Sequence, residues 1–210
     1  MDKARPIVGI SVGDPGGIGP EVTVKALAVP RVYEQCRPLV IGDASVVRDA
    51  LRFTGLNLAV NAVDSPEKGI YKLGVVDVLD MGNMPIDQVQ YGVVTAQQGR
   101  ASFEYVAKNI ELAMARRMDA TVTGPINKAA INEAGFHFAG HTEIYAKMTG
   151  TRDYAMMLAE GNFRVAHVST HVSLREACDR VTRERVLRVI ELSHDALLKL
   201  GVANPRIAVA

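Results

Sequence analysis

The sequence predicts an α/β fold with a largely parallel sheet. Short apolar runs alternate with segments of helical periodicity, and this alternation is typical of α/β proteins. Four short Gly-rich or polar clusters each follow an apolar run. Such clusters form the binding crevices of open α/β sheets, so an enzyme site is the leading interpretation. The chain has 210 residues, of which 48% are hydrophobic, and can therefore bury a sizeable core.

The first half of the chain opens with a strand over residues 6–12, followed by a Gly-rich loop over residues 13–19. Pro20 suits the first turn of a helix, because its missing N–H costs nothing there. The clearest helix spans residues 94–118, where apolar residues recur at spacings of three and four. The other elements predicted in this half are helices over residues 21–27 and 44–53 and strands over residues 38–41 and 75–79.

The second half continues the alternation. Gly135 suits the C-terminal cap of one helix, and Ser173 with Glu176 has the spacing of a capping box at the start of another. A turn at residues 160–162 joins two strands into a hairpin. The predicted strands here are residues 120–122 (buried), 154–158 and 163–168, and the predicted helices are residues 126–133, 142–148 and 182–200.

We expect two domains, residues 1–122 and residues 123–210. The final stretch, residues 205–210, is expected to form a strand. A natural domain rarely stops inside an apolar strand, so we expect the sequence to be truncated.

Composition excludes several classes of function. Lys and Arg number 24 and Asp and Glu 23, a net charge of +1, which predicts no nucleic-acid partner. The first apolar run is too short for a signal peptide or a membrane span, so we expect a cytoplasmic protein without a membrane partner. Cys36 and Cys178 lie far apart without metal-site spacing, and we expect reduced thiols.

The loop GDPGGIGPE, residues 13–21, is a candidate anion site. A glycine-rich turn exposes backbone N–H groups, and the following helix N-terminus adds partial positive charge. Its spacing is neither that of the dinucleotide fingerprint nor that of a P-loop. The alternative is a tight strand-to-helix turn in which Asp14 serves as a cap.

The segment TGPINK, residues 123–128, has the same form and places Lys128 in the first turn of a helix. A cation is electrostatically unfavourable there, so the placement can signal a ligand that uses the charge. The alternative is a solvated surface lysine.

Two histidines also follow apolar runs. Thr142 could cap a helix and leave His141 projecting at its N-terminus, a geometry that suits phosphate or carboxylate; the alternative is a surface loop histidine. His171 lies at the end of a predicted strand, where ligands gather, whereas His167 is expected to be packed. One imidazole cannot hold a metal, so further ligands would have to come from elsewhere.

The chain resembles the 4-hydroxythreonine-4-phosphate dehydrogenase family of vitamin B6 biosynthesis. The matching segments occur in family order. They are GDPGGIGPE (13–21), TGPINKAAINEAG (123–135), GHTE (140–143), YAMML (154–158) and THVSL (170–174). This family is similar in fold to isocitrate and isopropylmalate dehydrogenases. The resemblance therefore implies two α/β/α domains with the active site in the interdomain cleft, of which the C-terminal part is absent here.

The resemblance implies an oxidoreductase that uses NAD or NADP and a divalent metal (Zn, Mg or Co). It would oxidise and β-decarboxylate 4-phosphooxy-L-threonine for pyridoxal phosphate synthesis, as a homodimer with a shared metal site. It implies substrate binding by His141 and Thr142 and metal binding by His171. Lys128 is a candidate catalytic acid or phosphate contact. The family's two other histidine ligands lie in N-P-H and Y-H-D-Q segments that this sequence lacks, so the 210-residue chain alone is expected to be inactive.

Three alternatives remain open. Residues 152–156 and 167–171 look more like the branch that acts on D-threonate or D-erythronate 4-phosphate in sugar-acid catabolism. A third branch oxidises aromatic cis-dihydrodiols such as that of terephthalate. The non-enzyme alternative is an inactive fragment or a binding module.

Overall fold

The computed structural model describes residues 5–210, which divide into two compact units. The first unit ends at Thr149, and the second spans Gly150–Ala210. The strands of the first unit are β1 (Ile7–Ser11), β2 (Arg37–Gly42), β3 (Ala59–Val63), β4 (Val75–Asp80) and β5 (Ala120–Thr123). Its α-helices are α1 (Gly19–Leu27), α2 (Pro30–Gln35), α3 (Ala44–Thr54), α4 (Ala96–Met114), α5 (Lys128–Glu133) and α6 (His141–Thr149).

The five strands form one parallel sheet in the order β3-β4-β2-β1-β5. Strands β2, β3 and β4 all lie on one side of β1, whereas β5 lies on its other side. The strand order therefore reverses between β1 and β5. In open α/β sheets, ligands bind outside the carboxyl ends of the strands at such a switch point.

The core of the first unit is densest at β2, where the consecutive residues Leu39, Val40 and Ile41 are all fully buried. Successive side chains point to opposite faces of a strand, so the sheet is covered on both faces here. Helix α4 packs against β1 at Gly9, where a Cβ would lie 2.2 Å from Asn109 Oδ1. The Asn109 amide donates to the carbonyls of Gly9 (3.3 Å) and Val122 (3.1 Å) and so ties β1 to β5.

A small apolar cluster fixes α5 and α6 against α4. It is formed by Val106 and Ile110 of α4, Ile131 of α5 and Ile144 of α6, all of them buried. Lys128 and His141 are the first residues of α5 and α6. This packing therefore fixes the backbone positions from which both side chains extend.

The second unit consists of a hairpin and two helices. These are β6 (Met157–Glu160), β7 (Phe163–Ala166), α7 (Leu174–Arg180) and α8 (Arg183–Lys199). The strands are antiparallel, and Gly161 takes a positive φ of 54° in the turn between them. Ser173 Oγ accepts from the Glu176 N–H at 3.3 Å, which confirms the predicted cap of α7.

The predicted α/β class and its parallel sheet are confirmed, with three differences in detail. Residues 205–210 form no strand, so that prediction is wrong: the described part of the second unit offers them no strand to pair with, and a strand exists only when its N–H and C=O groups are paired. Strand β5 is half exposed rather than buried, because it forms an edge of the sheet. Helix α2 and strand β3 were not predicted.

The compact units divide between residues 149 and 150, whereas the predicted domains divide between residues 122 and 123. The physical reason is that β5 pairs with β1 and that α5 and α6 pack on α4, so residues 123–149 stay with the first unit. Within residues 5–210, no helix combines the length and apolar character needed to cross a membrane.

Candidate functional site

Two loops meet at the switch point of the sheet. One follows β1 and contains Gly13 and Asp14, and the other follows β5 and contains Gly124 and Pro125. The Asp14 N–H donates to the Pro125 carbonyl at 2.9 Å, and the Gly124 N–H donates to the Ser11 carbonyl at 2.7 Å. The parallel pairing of β1 and β5 thus continues into the loops that follow them.

Glycine is required where these loops touch. A Cβ at Gly124 would lie 2.5 Å from the Val12 carbonyl oxygen, which is a backbone atom that cannot swing away. Gly13 has a positive φ of 79°, and a Cβ there would lie 2.3 Å from the Pro125 carbonyl oxygen. Both glycines therefore permit an approach of two backbones that any side chain would block.

A pocket of about 510 Å³ lies between the two loops. Its position at the carboxyl ends of β1 and β5 is the one that open α/β sheets use for ligands. The lining residues are Asp14, Gly17, Ile18, Pro125, Ile126, Asn127, Lys128 and Ala129.

Asp14 is 6% exposed and shapes the first loop. Its Oδ1 accepts from the Gly16 N–H at 2.9 Å, which is a contact within the loop. It does not cap α1, whose N-cap position is taken by Ile18 without a side-chain hydrogen bond. Burial raises the pKa of Asp14, and the hydrogen bond from Gly16 opposes that shift.

Lys128 is the first residue of α5 and lines the pocket. Asn127 precedes it as the N-cap and accepts from the Ala130 N–H at 3.1 Å, which fixes the start of the helix. The predicted placement of a lysine in the first turn is confirmed. Its side chain is exposed, and it forms no ion pair with any carboxylate in the described part of the chain. Its charge is therefore available to a ligand.

His141 is half-buried beside the second loop. Burial lowers the pKa of His141, a hydrogen bond with the Gly124 backbone raises it, and the charge of Lys128 lowers it further. Its Nε2 is buried and has no hydrogen-bond partner within residues 5–210. The structure thus brings together the predicted residues Lys128 and His141, close enough for the charge of the lysine to act on the imidazole.

The prediction that Thr142 caps the next helix is wrong. Helix α6 begins at His141, and the Gly140 carbonyl accepts its first hydrogen bond, from the Ile144 N–H at 3.3 Å. Glycine is tolerated at the N-cap position, so no side-chain cap is needed. Thr142 is half-buried in the first turn, directly after His141. Its predicted contact with substrate stays a prediction.

Glu143 lies near Lys128, although the sequence pattern assigned it no role. Its Oε2 is buried without a hydrogen-bond partner in the described residues. A Cβ built at Gly140 would lie 3.6 Å from this oxygen and 3.8 Å from Lys128 Cε. The acid and the lysine thus flank the same glycine. Glu143 could have been identified from the sequence, because it is the last residue of the segment GHTE and follows His141 by two positions.

Comparison with known proteins identifies the family. Residues 34–210 match the family described as pyridoxal phosphate biosynthetic protein PdxA. The chain belongs to the PdxA family. It is 44% identical over 210 residues to a protein of Clostridium botulinum (strain Hall) described provisionally as D-threonate 4-phosphate dehydrogenase. It is 41% identical over 209 residues to the D-threonate 4-phosphate dehydrogenase of Cupriavidus necator.

Each of these two alignments covers 100% of this chain but only 63% and 62% of the relative, so the chain spans less than two thirds of their length. Solved structures of similar proteins agree in fold. A 4-hydroxythreonine-4-phosphate dehydrogenase from Burkholderia phymatum is 37% identical with a TM-score of 0.86, over 97% of this chain and 62% of that chain. A terephthalate 1,2-cis-dihydrodiol dehydrogenase from Burkholderia xenovorans LB400 is 30% identical with a TM-score of 0.66, over 96% and 60%.

The residues described here do not by themselves assemble a metal site. His171 lies in the second unit with an exposed side chain and a positive φ of 58°, a conformation in which histidine is enriched among non-glycine residues. Within residues 5–210, no group of three or more His, Cys, Asp or Glu side chains could hold an ion. A single imidazole is too few ligands for a catalytic metal. The metal-binding role of His171 in this PdxA-family chain therefore stays a prediction.

Proposed function

We propose that this chain forms part of a dehydrogenase that acts on a four-carbon phosphorylated hydroxy acid. The observation that carries the proposal is the unpaired Lys128 in the pocket at the switch point of a PdxA-family sheet. A cation that makes no ion pair in a concave site favours an anionic ligand. The imidazole of His141, with a buried nitrogen that lacks a partner, adds a hydrogen-bonding group close to that charge.

D-threonate 4-phosphate is the substrate that we place first. The relatives described as its dehydrogenases are 41–45% identical to this chain. The solved structures described as 4-hydroxythreonine-4-phosphate dehydrogenases are 31–37% identical, so 4-phosphooxy-L-threonine is our second candidate. The two compounds differ in the group next to the carboxylate, which is a hydroxyl in the first and an amine in the second. An aromatic cis-dihydrodiol carries no phosphate and so lacks the group that we assign to Lys128.

In this proposal, Lys128 holds the phosphate, and His141 and Thr142 orient the same molecule by hydrogen bonds. NAD or NADP would accept the hydride, and a divalent metal would stabilise the charge that develops on the substrate oxygens before CO₂ leaves. We propose His171 as one ligand of that metal. The remaining ligands would come from outside this sequence, in a homodimer that shares the site.

Binding to the chain itself tests the proposal. We expect isothermal titration calorimetry to show binding of D-threonate 4-phosphate and at least about tenfold weaker binding of D-threonate, because only the phosphorylated acid carries the phosphate that Lys128 holds. Lys128→Ala should remove that difference. Lys25→Ala is the matched control, since Lys25 is an exposed lysine already paired with Glu21. Equal binding of both acids to the wild-type chain would contradict the proposal.

A further inference from the structure

We infer that Asp14 is a specificity-determining residue that accepts a hydrogen bond from a hydroxyl group of the bound substrate, while Lys128 holds an anionic group of the same molecule. This inference rests on the proposed function. A site that binds only an anion requires a negative charge on the ligand. The site inferred here also requires a hydrogen-bond donor on the same ligand.

The first observation is an incompletely satisfied buried carboxyl group. Asp14 is 6% exposed, and only its Oδ1 has a protein donor, the Gly16 N–H. Among residues 5–210, no donor reaches Oδ2. This oxygen is not one of the buried side-chain atoms that lack a partner, so it stays accessible at the pocket wall, where a donor from a ligand or from water can reach it.

The second observation is that Asp14 lines the same pocket as Lys128. The two side chains make no ion pair with each other. One wall of the pocket thus offers a hydrogen-bond acceptor, and the other offers a cation. A phosphorylated hydroxy acid carries the complementary pair of groups, a hydroxyl donor and an anion. Inorganic phosphate would satisfy only the lysine.

Burial raises the pKa of Asp14, as it does for any carboxyl group removed from water. A hydroxyl donor bound at Oδ2 would stabilise the ionised form and so offset part of this penalty. The alternative is that Asp14 only shapes the loop through its bond to Gly16. An asparagine separates the two roles, because its Oδ1 can keep the Gly16 bond while its Nδ2 replaces the acceptor Oδ2 with a donor.

The experiment compares binding of D-threonate 4-phosphate, its 2-deoxy analogue, its 3-deoxy analogue and inorganic phosphate by titration calorimetry. We expect the wild-type chain to bind the parent acid at least about tenfold more tightly than one of the deoxy analogues, since a site that pairs with a hydroxyl rejects the analogue that lacks it. Asp14→Asn should reduce this ratio to about twofold or less and leave the affinity for inorganic phosphate unchanged.

Asp43→Asn is the matched control. Asp43 is also buried at the end of a strand, but it accepts from Tyr105 Oη at 2.5 Å and from the Met84 N–H at 3.2 Å, and it does not line the pocket. This variant should keep the full ratio. If Asp14→Asn keeps it as well, or if the wild-type chain shows no preference for the parent acid over either deoxy analogue, the Asp14 inference is overturned and the proposed function stands. If the wild-type chain binds none of the phosphorylated acids, both are overturned.

Discussion

The surroundings of the His141 imidazole favour its neutral form. Burial is the largest influence and lowers its pKa below the ordinary value of 6.5. The folded chain therefore binds a proton at His141 less readily than the unfolded chain does. The stability contributed by this difference is fully present above pH 6.5 and is lost as the pH falls toward the folded-state pKa.

This direction gives a stability prediction for His141→Gln. We expect the free energy of unfolding of the wild-type chain to fall more steeply between pH 7.5 and 5.5 than that of the variant, which has no imidazole to protonate. Urea denaturation at about four pH values measures both slopes. Parallel slopes would show that protonation of His141 does not contribute.

A second prediction concerns the charge of Lys128. Because this charge lowers the pKa of His141, Lys128→Ala should raise it. The imidazole proton resonances, followed by NMR through a pH titration, report the pKa directly. Lys147→Ala is the control, since Lys147 lies over the Phe138 ring and is not among the groups that shift His141. An unchanged pKa in Lys128→Ala would argue that the two groups lie farther apart in solution.

Lys128 and His141 could be predicted as site residues because each lies in a short segment with a local sequence signal. Lys128 follows a Gly-Pro turn, and His141 follows a glycine. The surroundings of Asp14 could not be predicted in the same way. Its loop meets Pro125, more than a hundred positions later, and only the pairing of β5 with β1 brings the two together.

At the scale of elements, apolar runs in the sequence predict the central strands correctly but not the edge strand β3. Strand β2 is buried throughout its middle, where residues 38–41 form a continuous apolar run. Strand β3 is an edge strand whose sequence, AVNAV, is interrupted by Asn61 and is mostly not buried. Residues 205–210 show the opposite error. Their apolar pattern suits a strand, but pairing requires a neighbour that the pattern cannot supply.

The contact between the loops after β1 and β5 gives an element-scale prediction. Gly124→Ala places a methyl group 2.5 Å from the Val12 carbonyl oxygen, so the loops must separate. We expect a loss of about 1–3 kcal/mol in the free energy of unfolding, as for other overpacked sites. Gly140→Ala is the control, because its Cβ would make only ordinary contacts at 3.6 and 3.8 Å. Urea denaturation of both variants measures the difference, and equal losses would contradict the prediction.

At the scale of the whole molecule, burial is distributed unequally between the two compact units. Among the described residues, Val189 is the only buried apolar side chain of the second unit, whereas both apolar clusters belong to the first. A unit with so little buried apolar surface gains little free energy from folding. The fold class was predictable because strands and helices alternate along the first unit, but the unequal burial depends on which faces of these elements are covered.

We therefore expect residues 1–149, expressed alone, to unfold cooperatively and to keep the binding properties of the pocket. Residues 150–210 alone should show neither a cooperative transition nor dispersed amide resonances. Thermal denaturation followed by circular dichroism, together with proton–nitrogen NMR spectra of each fragment, measures both. A cooperatively folded second fragment would show that its few contacts suffice.

The backbone bonds between the loops after β1 and β5 also bear on the thermodynamics of recognition. The Asp14 N–H and the Gly124 N–H each donate to the other segment, so the two walls of the pocket are held by the same kind of bond as the sheet beneath them. A molecule that enters between them has no loop to immobilise. Preorganised walls of this kind reduce the conformational entropy lost on binding, so a small anionic acid can bind through a few polar contacts.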